Sequence, residues 1–308
     1  MSNPAAEAGP SMRAVAYARF GDPEVLDVHQ APRPDPGHGR IRIAVRASSV
    51  NRFDLKKRSG AFSEAYGPDS PVIPGVEAAG VVDGVGDGVA DVSIGDEVFG
   101  LGPSTFAEFA VLEHWAAKPA AWTWSQAASV STAAEAAERA LDLLEVQEGH
   151  TLLIDGAAGS VGTAAAQLAI AKGLAVVGTG SSAKHARLSR LGVAPTTYGP
   201  GLPDRVAELV PDSVDRVLDA SGKGSLDELI AIAGSPEAVI TLADFDAPDK
   251  GVRVTSKPYA FDALGTVAGL AANGRFEVLI DSEFPLAEAA AAHSRAEAGA
   301  DGKVVVTL

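Results

Sequence analysis

No cysteine occurs anywhere in the 308 residues. That excludes disulfides, thiolate nucleophiles and cysteine-ligated zinc together, and it fits a reducing cytoplasm, the expected location. No apolar run approaches the ~18 residues that a membrane-spanning helix needs, so no membrane partner is expected. Basic charge is also scarce. Lys and Arg number 25 against 40 Asp and Glu, for a net charge of −15. A surface of that sign repels phosphate backbones, so a nucleic-acid partner is not expected either. The six histidines (His29, His38, His114, His150, His185 and His293) are scattered, without metal-ligand spacing. The opening "MSNPAAEAGPSM" has neither a basic start nor an apolar stretch, and residues 1–11 read as a disordered tail rather than a secretory signal.

One absence is local. Between Asp155 and Asp204 there is no acid, although about six would be expected in 48 positions at the density of this chain. The gap opens within "TLLIDGAAGSVGTAAAQLAIAKG", residues 151–173, at its Asp155. There a short apolar run enters Gly156, Gly159 and Gly162, and an alanine-rich segment follows. A glycine turn between strand and helix lets a diphosphate approach bare backbone N–H groups and the positive end of the helix dipole. The same spacing also permits close helix–strand packing, and by itself does not separate the two.

The segment downstream carries more. A site for NAD places an Asp or Glu about 20 residues on, at the end of the next strand, for the ribose hydroxyls. Here that place reads "VVGTGSSAKHAR", with Ser181, Ser182 and Lys184. Hydroxyls and a lysine suit a 2′-phosphate through charge-assisted bonds, where a carboxylate would repel it. The expected cofactor is therefore NADPH.

With 46% hydrophobic residues the chain is long enough for two domains. Up to about residue 118 the pattern is short strands and turns, and from about 125 helices and strands alternate. The alternation predicts an α/β fold with a doubly wound parallel sheet. It places a single helix over 125–146, a strand "FEVLI" at 276–280 and a last strand "GKVVVTL". The short "GVRVTS" reads as an exposed edge strand, a place for a second copy to pair in a homodimer.

Six segments, "ASSVNRFDLKKRSG", "PGVEAAGVVDGVG", "GDEVFG", "DGAAGSVG", "GTGSSAKHARLSRLG" and "GKVVVTL", give the chain its family likeness. It resembles the zinc-independent quinone oxidoreductase and enoyl reductase branch of the medium-chain dehydrogenase/reductase superfamily. The resemblance implies a GroES-like β-rich catalytic domain from residues 12–120 and 262–308. It implies a Rossmann NADPH-binding domain over 121–261 between those two parts. It places Asn51 beside the nicotinamide, with Thr132, and assigns Ala158, Gly159, Ser160, Val161 and Gly162 to the diphosphate. Tyr198 falls against the 2′-phosphate, and Leu242 and Ala243 meet the carboxamide. Phe53, Phe62 and Tyr66 line the acceptor cleft, Tyr66 and Asn51 being the catalytic candidates. Asp54 orders its loop, and Lys303 is read as structural.

Zinc-dependent relatives hold their metal with a Cys and the His of a G-H-E motif. Here those places are Asn51 and Val76, and Phe53 replaces the hydroxyl that relays a proton, so no metal is expected. The family's G-L-T-A turn is altered to Ala134, Glu135 and Ala136, where Glu135 is expected either to disturb the pocket or to face solvent. The implied activity is an NADPH-dependent, metal-free reduction of a quinone or an activated C=C bond of a small molecule. The alternative is a non-catalytic NADPH-binding sensor or structural protein of the same fold.

Overall fold

The computed structural model describes residues 10–62 and 70–308. Most of the expected tail, and Tyr66, therefore lie outside the described residues. The chain divides into two compact units, one from residues 1–132 and 277–308, the other from 133–276.

The first unit is β-rich. It opens with β1 (Ser11–Ala16), β2 (Asp27–Pro32) and β3 (Ile41–Ser49), followed by helix α1 (Arg52–Ser59). Next come β4 (Glu77–Val85), β5 (Glu97–Leu101), β6 (Phe109–Leu112), β7 (His114–Ala117) and the short α2 (Trp124–Ala127). Along β3, Ile41, Ile43 and Val45 alternate into a core shared with Val82, Val98 and Leu112, as a half-covered strand requires. A register shift after Val45 then turns Ser48 and Ser49 inward as well, against Ala78 and Glu77 of β4. The bulge re-aims the end of the strand.

The second unit contains most of α3 (Ser131–Leu143), then β8 (Thr151–Asp155), α4 (Ser160–Ala171), β9 (Ala175–Thr179) and α5 (His185–Arg190). It continues through β10 (Ala194–Thr196), α6 (Leu202–Leu209), β11 (Arg216–Asp219) and α7 (Leu226–Ala233). It closes with β12 (Val239–Thr241), β13 (Arg253–Val254) and α8 (Ala263–Ala272). Its six strands are all parallel, in the order β10-β9-β8-β11-β12-β13. That is the doubly wound order, whose direction reverses between β8 and β11, and ligands of such sheets bind outside the carboxyl ends at that reversal. Leu202 and Val206, one helical turn apart on α6, pack with Leu153, Val177, Val217 and Leu229. Burying each such side chain contributes roughly 1.5–3 kcal/mol.

The chain then returns to the first unit as β14 (Ile280–Pro285), α9 (Ala289–Glu297) and β15 (Lys303–Thr307). The main sheet of that unit runs β14-β15-β3-β4-β5-β7, with β6 also on β3.

Two local expectations change. The helix expected over 125–146 is two, broken at residues 128–130. The break frees the amide of Thr132 to donate to the Glu77 carboxylate at 2.8 Å, which satisfies one of the orphan donors of α3 from outside the helix. The strand expected at 276–280 begins only at Ile280, because it is pairing with β15, not local apolar content, that defines β14. The edge position of "GVRVTS" is as expected: β13 ends the parallel sheet.

Candidate functional site

In the first unit the polar side chains converge on Glu77, which is fully buried at the start of β4. Two antiparallel registers bring its partners there. Ser48 faces Ala78 across β3 and β4, so Ser49 falls against Glu77. Val305 faces Ser49 across β15 and β3, and Val50 N donates to Val304 O, so Lys303 falls against Asn51. Glu77 Oε1 accepts from Ser49 Oγ (2.5 Å), Lys303 Nζ (2.8 Å) and Asn51 Nδ2 (2.9 Å). The Lys303 ammonium also donates to Asn51 Oδ1 at 2.7 Å, closing a triangle of Lys303, Asn51 and Glu77. Burial pushes the Glu77 carboxyl upward, but the charge of Lys303 and these donors outweigh it and hold it below its ordinary range.

Asn51 caps α1, and Asp54 one turn on accepts from the amides of Asn51 (2.9 Å) and Gly75 (3.0 Å). Asp54 thus orders the loop, as expected of it. Its carboxyl is pushed up to about 6 by burial, against the lowering effect of those two amides. Thr132, expected with Asn51, is joined to it through Glu77, and its hydroxyl is buried without a hydrogen-bond partner among the described residues. Phe53 and Phe62 form a ring pair with centroids 5.8 Å apart.

In the second unit the three glycines divide the work. Gly156 has φ +83°, the left-handed turn that glycine favours. A Cβ on Gly162 would lie 2.2 Å from Gly156 O, so this glycine is needed for close packing of α4 on the turn. Gly159, at the N-cap of α4, differs: a Cβ there would meet only Gly156 O, at 3.4 Å. Gly159 and Ser160 are exposed at the N-terminus of a twelve-residue helix. Close packing is therefore established at Gly162, while the backbone at Gly159 is left uncrowded.

The end of β9 lies beside this turn. Arg187 donates to Ala158 O at 2.9 Å, and a Cβ on Gly180 would lie 3.3 Å from that of Ala158. Ser181, Ser182 and Lys184 follow Gly180. Tyr198, two residues past β10, is exposed, with the Lys223 ammonium 5.7 Å from its ring centre. Leu242 and Ala243 continue from β12, anchored by Asp219 O and the Thr241 hydroxyl.

A polar row beneath the turn is absent from the sequence reading. Asp155 accepts from Thr179 (2.5 Å), Ser221 (2.5 Å) and Ser225 (2.9 Å), while Asp219 accepts from Ser221, Gly222 and Thr241. It ties the carboxyl ends of β9, β8, β11 and β12, and the signal for it was an Asp closing both "TLLID" and "RVLD". Of the two alternatives for Glu135, the solvent-facing one is excluded. The side chain is buried, bonded to Arg139 one turn on (2.8 Å) and to the amide of Ala260 (3.1 Å).

These features fit a dinucleotide: an exposed helix N-terminus, an uncrowded glycine and an acid-free strand end. Zinc does not fit. Among the described residues no group of three His, Cys, Asp or Glu is placed to hold a metal. Glu77 Oε1 already accepts three donors, one of them an ammonium that repels a second cation. No described helix is long and apolar enough to cross a membrane.

Comparison with known proteins agrees with this architecture. Residues 37–119 match the alcohol dehydrogenase GroES-like domain, and residues 202–306 match the family described as zinc-binding dehydrogenase. The synaptic vesicle membrane protein VAT-1 homolog of Rattus norvegicus is 35% identical over 222 residues, 69% of this chain. The chain spans about half (54%) of that relative's length. A quinone oxidoreductase of Pseudomonas aeruginosa is 30% identical over 91% of this chain and 94% of its own. A mycobacterial protein solved in complex with NADPH is 28% identical with a TM-score of 0.79, covering 97% of this chain and all of the other. Both sheets and the near full-length likeness lead to one conclusion: the chain belongs to the medium-chain dehydrogenase/reductase superfamily, among its quinone oxidoreductase-like members.

Proposed function

We propose that this chain is an NADPH-dependent reductase that passes hydride to an already electrophilic small molecule, a quinone or the C=C bond of an enone or enoyl thioester. The observation that carries the reading is the open turn at Gly159 next to the acid-free end of β9. The NADPH bound by the mycobacterial relative and the activity named for the Pseudomonas relative support it.

When bound, NADPH supplies hydride. The chain supplies placement. The amides around Gly159 through Gly162 and the dipole of α4 take the diphosphate. Ser181, Ser182, Lys184 and Tyr198 take the 2′-phosphate, with charge-assisted bonds from Lys184. The backbone at Leu242 and Ala243 orients the carboxamide, Asn51 and Thr132 serve the nicotinamide, and Phe53 and Phe62 serve the acceptor. With a donor set unsuited to zinc, no Lewis acid polarises an alcohol, which restricts the substrate to acceptors that are electrophilic beforehand. Orientation and exclusion of water provide the acceleration.

The non-catalytic alternative rests on the altered turn at Glu135, which is buried and paired with Arg139. We further place a second copy against β13, where light scattering should give a mass near twice 31.2 kDa; a monomer would remove that contact. The test of activity is NADPH oxidation against a panel of quinones and enones. Turnover with one class names the acceptor, and NADPH binding without turnover on any would overturn the reductase reading.

A further inference from the structure

We propose that Lys303 is the positioning residue for Asn51, holding its amide so that one N–H is aimed as a hydrogen-bond donor to the oxygen that gains charge as hydride reaches the acceptor. The proposal rests on the reductase reading above and adds to it the role of each group in the triangle. Asn51 Oδ1 faces the Lys303 ammonium at 2.7 Å, and Asn51 Nδ2 faces Glu77 Oε1 at 2.9 Å. Flipping the amide would set its NH2 against the ammonium and its carbonyl against the carboxylate, exchanging two attractions for two repulsions. Only one orientation is therefore available, and the identity of the amide atoms is fixed by their charged neighbours.

That orientation leaves one hydrogen on Nδ2 without a strong partner. Its remaining protein acceptors are Ser49 O at 3.4 Å and Ser49 Oγ at 3.5 Å, both at the long end for a hydrogen bond. Glu77 cannot turn away to release the amide, because Ser49 and the amide of Thr132 hold both its oxygens. Lys303 is itself only 7% exposed at its side chain, which keeps water from competing for Asn51. Lys303 and Glu77 touch directly at 2.8 Å, and each also holds one end of the Asn51 amide. A donor fixed before reaction is the arrangement that stabilises a developing oxyanion without reorganisation. No proton leaves Asn51 or Lys303: the enolate or hydroquinone anion formed by hydride addition takes its proton from solvent.

Lys303→Met alone would strand the Glu77 carboxylate and risks the fold. The test therefore uses the paired variant Lys303→Met/Glu77→Gln, which removes both charges and keeps the volume, together with Asn51→Ala and the triple variant. The paired variant should keep the wild-type Kd for NADPH and lose kcat by about a hundredfold. The triple variant should be no slower than Asn51→Ala, because Lys303 acts only through that amide. A paired variant with wild-type kcat, or losses that multiply in the triple variant, would overturn the proposal. Side-chain amide resonances of Asn51, followed by NMR without substrate, give a readout independent of turnover. Two N–H signals displaced from free-amide positions and slow to exchange with solvent are expected in the wild type, moving to free-amide positions with faster exchange in the paired variant. Signals that are unaltered by the pair refute the restraint. If no acceptor is turned over by the wild type, the reductase reading fails while the NMR result still decides whether Lys303 restrains Asn51.

Discussion

Around Glu77 the polar side chains are buried and bonded to one another, whereas Ser181, Ser182 and Lys184, just past the end of β9, are half-buried or exposed. The first cluster joins residues 49, 51, 77, 132 and 303 in a buried network with a charge of each sign. The second is one short stretch, Gly180 to Lys184, beside one glycine turn, with its side chains half-buried or exposed and no acid within the stretch itself. A buried network is expensive to break, because each lost partner leaves a charge without water. An exposed basic edge is cheap to change and costs only the ligand. The two clusters therefore predict different consequences for mutation, one in stability and the other in binding.

Glu77→Ala gives the largest expected effect. It leaves the Lys303 ammonium buried without its counter-charge, and denaturant unfolding should show a loss of about 3–5 kcal/mol. Ser181→Ala should stay within about 0.5 kcal/mol. A Glu77→Ala protein as stable as Ser181→Ala would erase the distinction.

The glycines sharpen the contrast within one turn. Gly162→Ala drives a Cβ to 2.2 Å from Gly156 O, and overpacking of this kind costs about 1–3 kcal/mol. Gly159→Ala meets only one atom, at 3.4 Å. It should leave the Tm nearly unchanged and weaken NADPH, measured by titration, because the methyl occupies the open cradle. Loss of stability in both variants, with no change in binding, would make the turn a packing device alone.

Acid should act on the first unit through His293. This imidazole is buried against Phe106 with neither ring nitrogen bonded among the described residues, and burial, with the nearby Arg58 charge, lowers its pKa to about 3. The unfolded chain binds the proton more readily, so stability is full above about pH 6.5 and falls as pH drops from there towards 3, at up to ~1.4 kcal/mol per unit. Asp54 works the other way. Its folded pKa of about 6 lies above the ordinary 3.8, so its ionisation opposes folding as pH rises through 6 and part of that cost is recovered below it. His293→Leu should flatten the fall in stability between pH 6.5 and 4; an unchanged slope would mean that His293 does not carry it.

The contrast between the clusters also explains what the sequence disclosed. Strand, turn and helix at 151–173 are contiguous, so periodicity and three glycines locate them, and a missing acid is visible by reading along the chain. The Glu77 cluster depends on two antiparallel registers, β3 with β4 and β15 with β3, that no linear pattern encodes. Asn51 stands out only by resemblance, and nothing local links Lys303 to a residue 252 positions earlier. The break in the helix at 128–130 has the same origin, since the group that receives Thr132 belongs to β4. The row of Asp155 and Asp219 lay at the ends of two apolar strands, a position at which a buried carboxylate has to be answered by neighbouring strands.

The smallest substitution effect belongs to the exposed edge. Lys184→Ala should weaken NADPH by about tenfold and leave NADH nearly unaffected, as loss of one charge-assisted bond implies. An acid is better introduced at position 181 than at 180, since a Cβ on Gly180 would already press Leu188 at 3.2 Å. Ser181→Asp should reverse the preference towards NADH.

The most direct measurement is the titration of wild-type protein with NADPH and with NADH under identical conditions. If Ser181, Lys184 and Tyr198 hold the 2′-phosphate, two such contacts give NADPH an advantage of about 10²-fold or more. Equal affinities would contradict that claim, and the acid-free stretch would then be a solvated face with no part in choosing the cofactor.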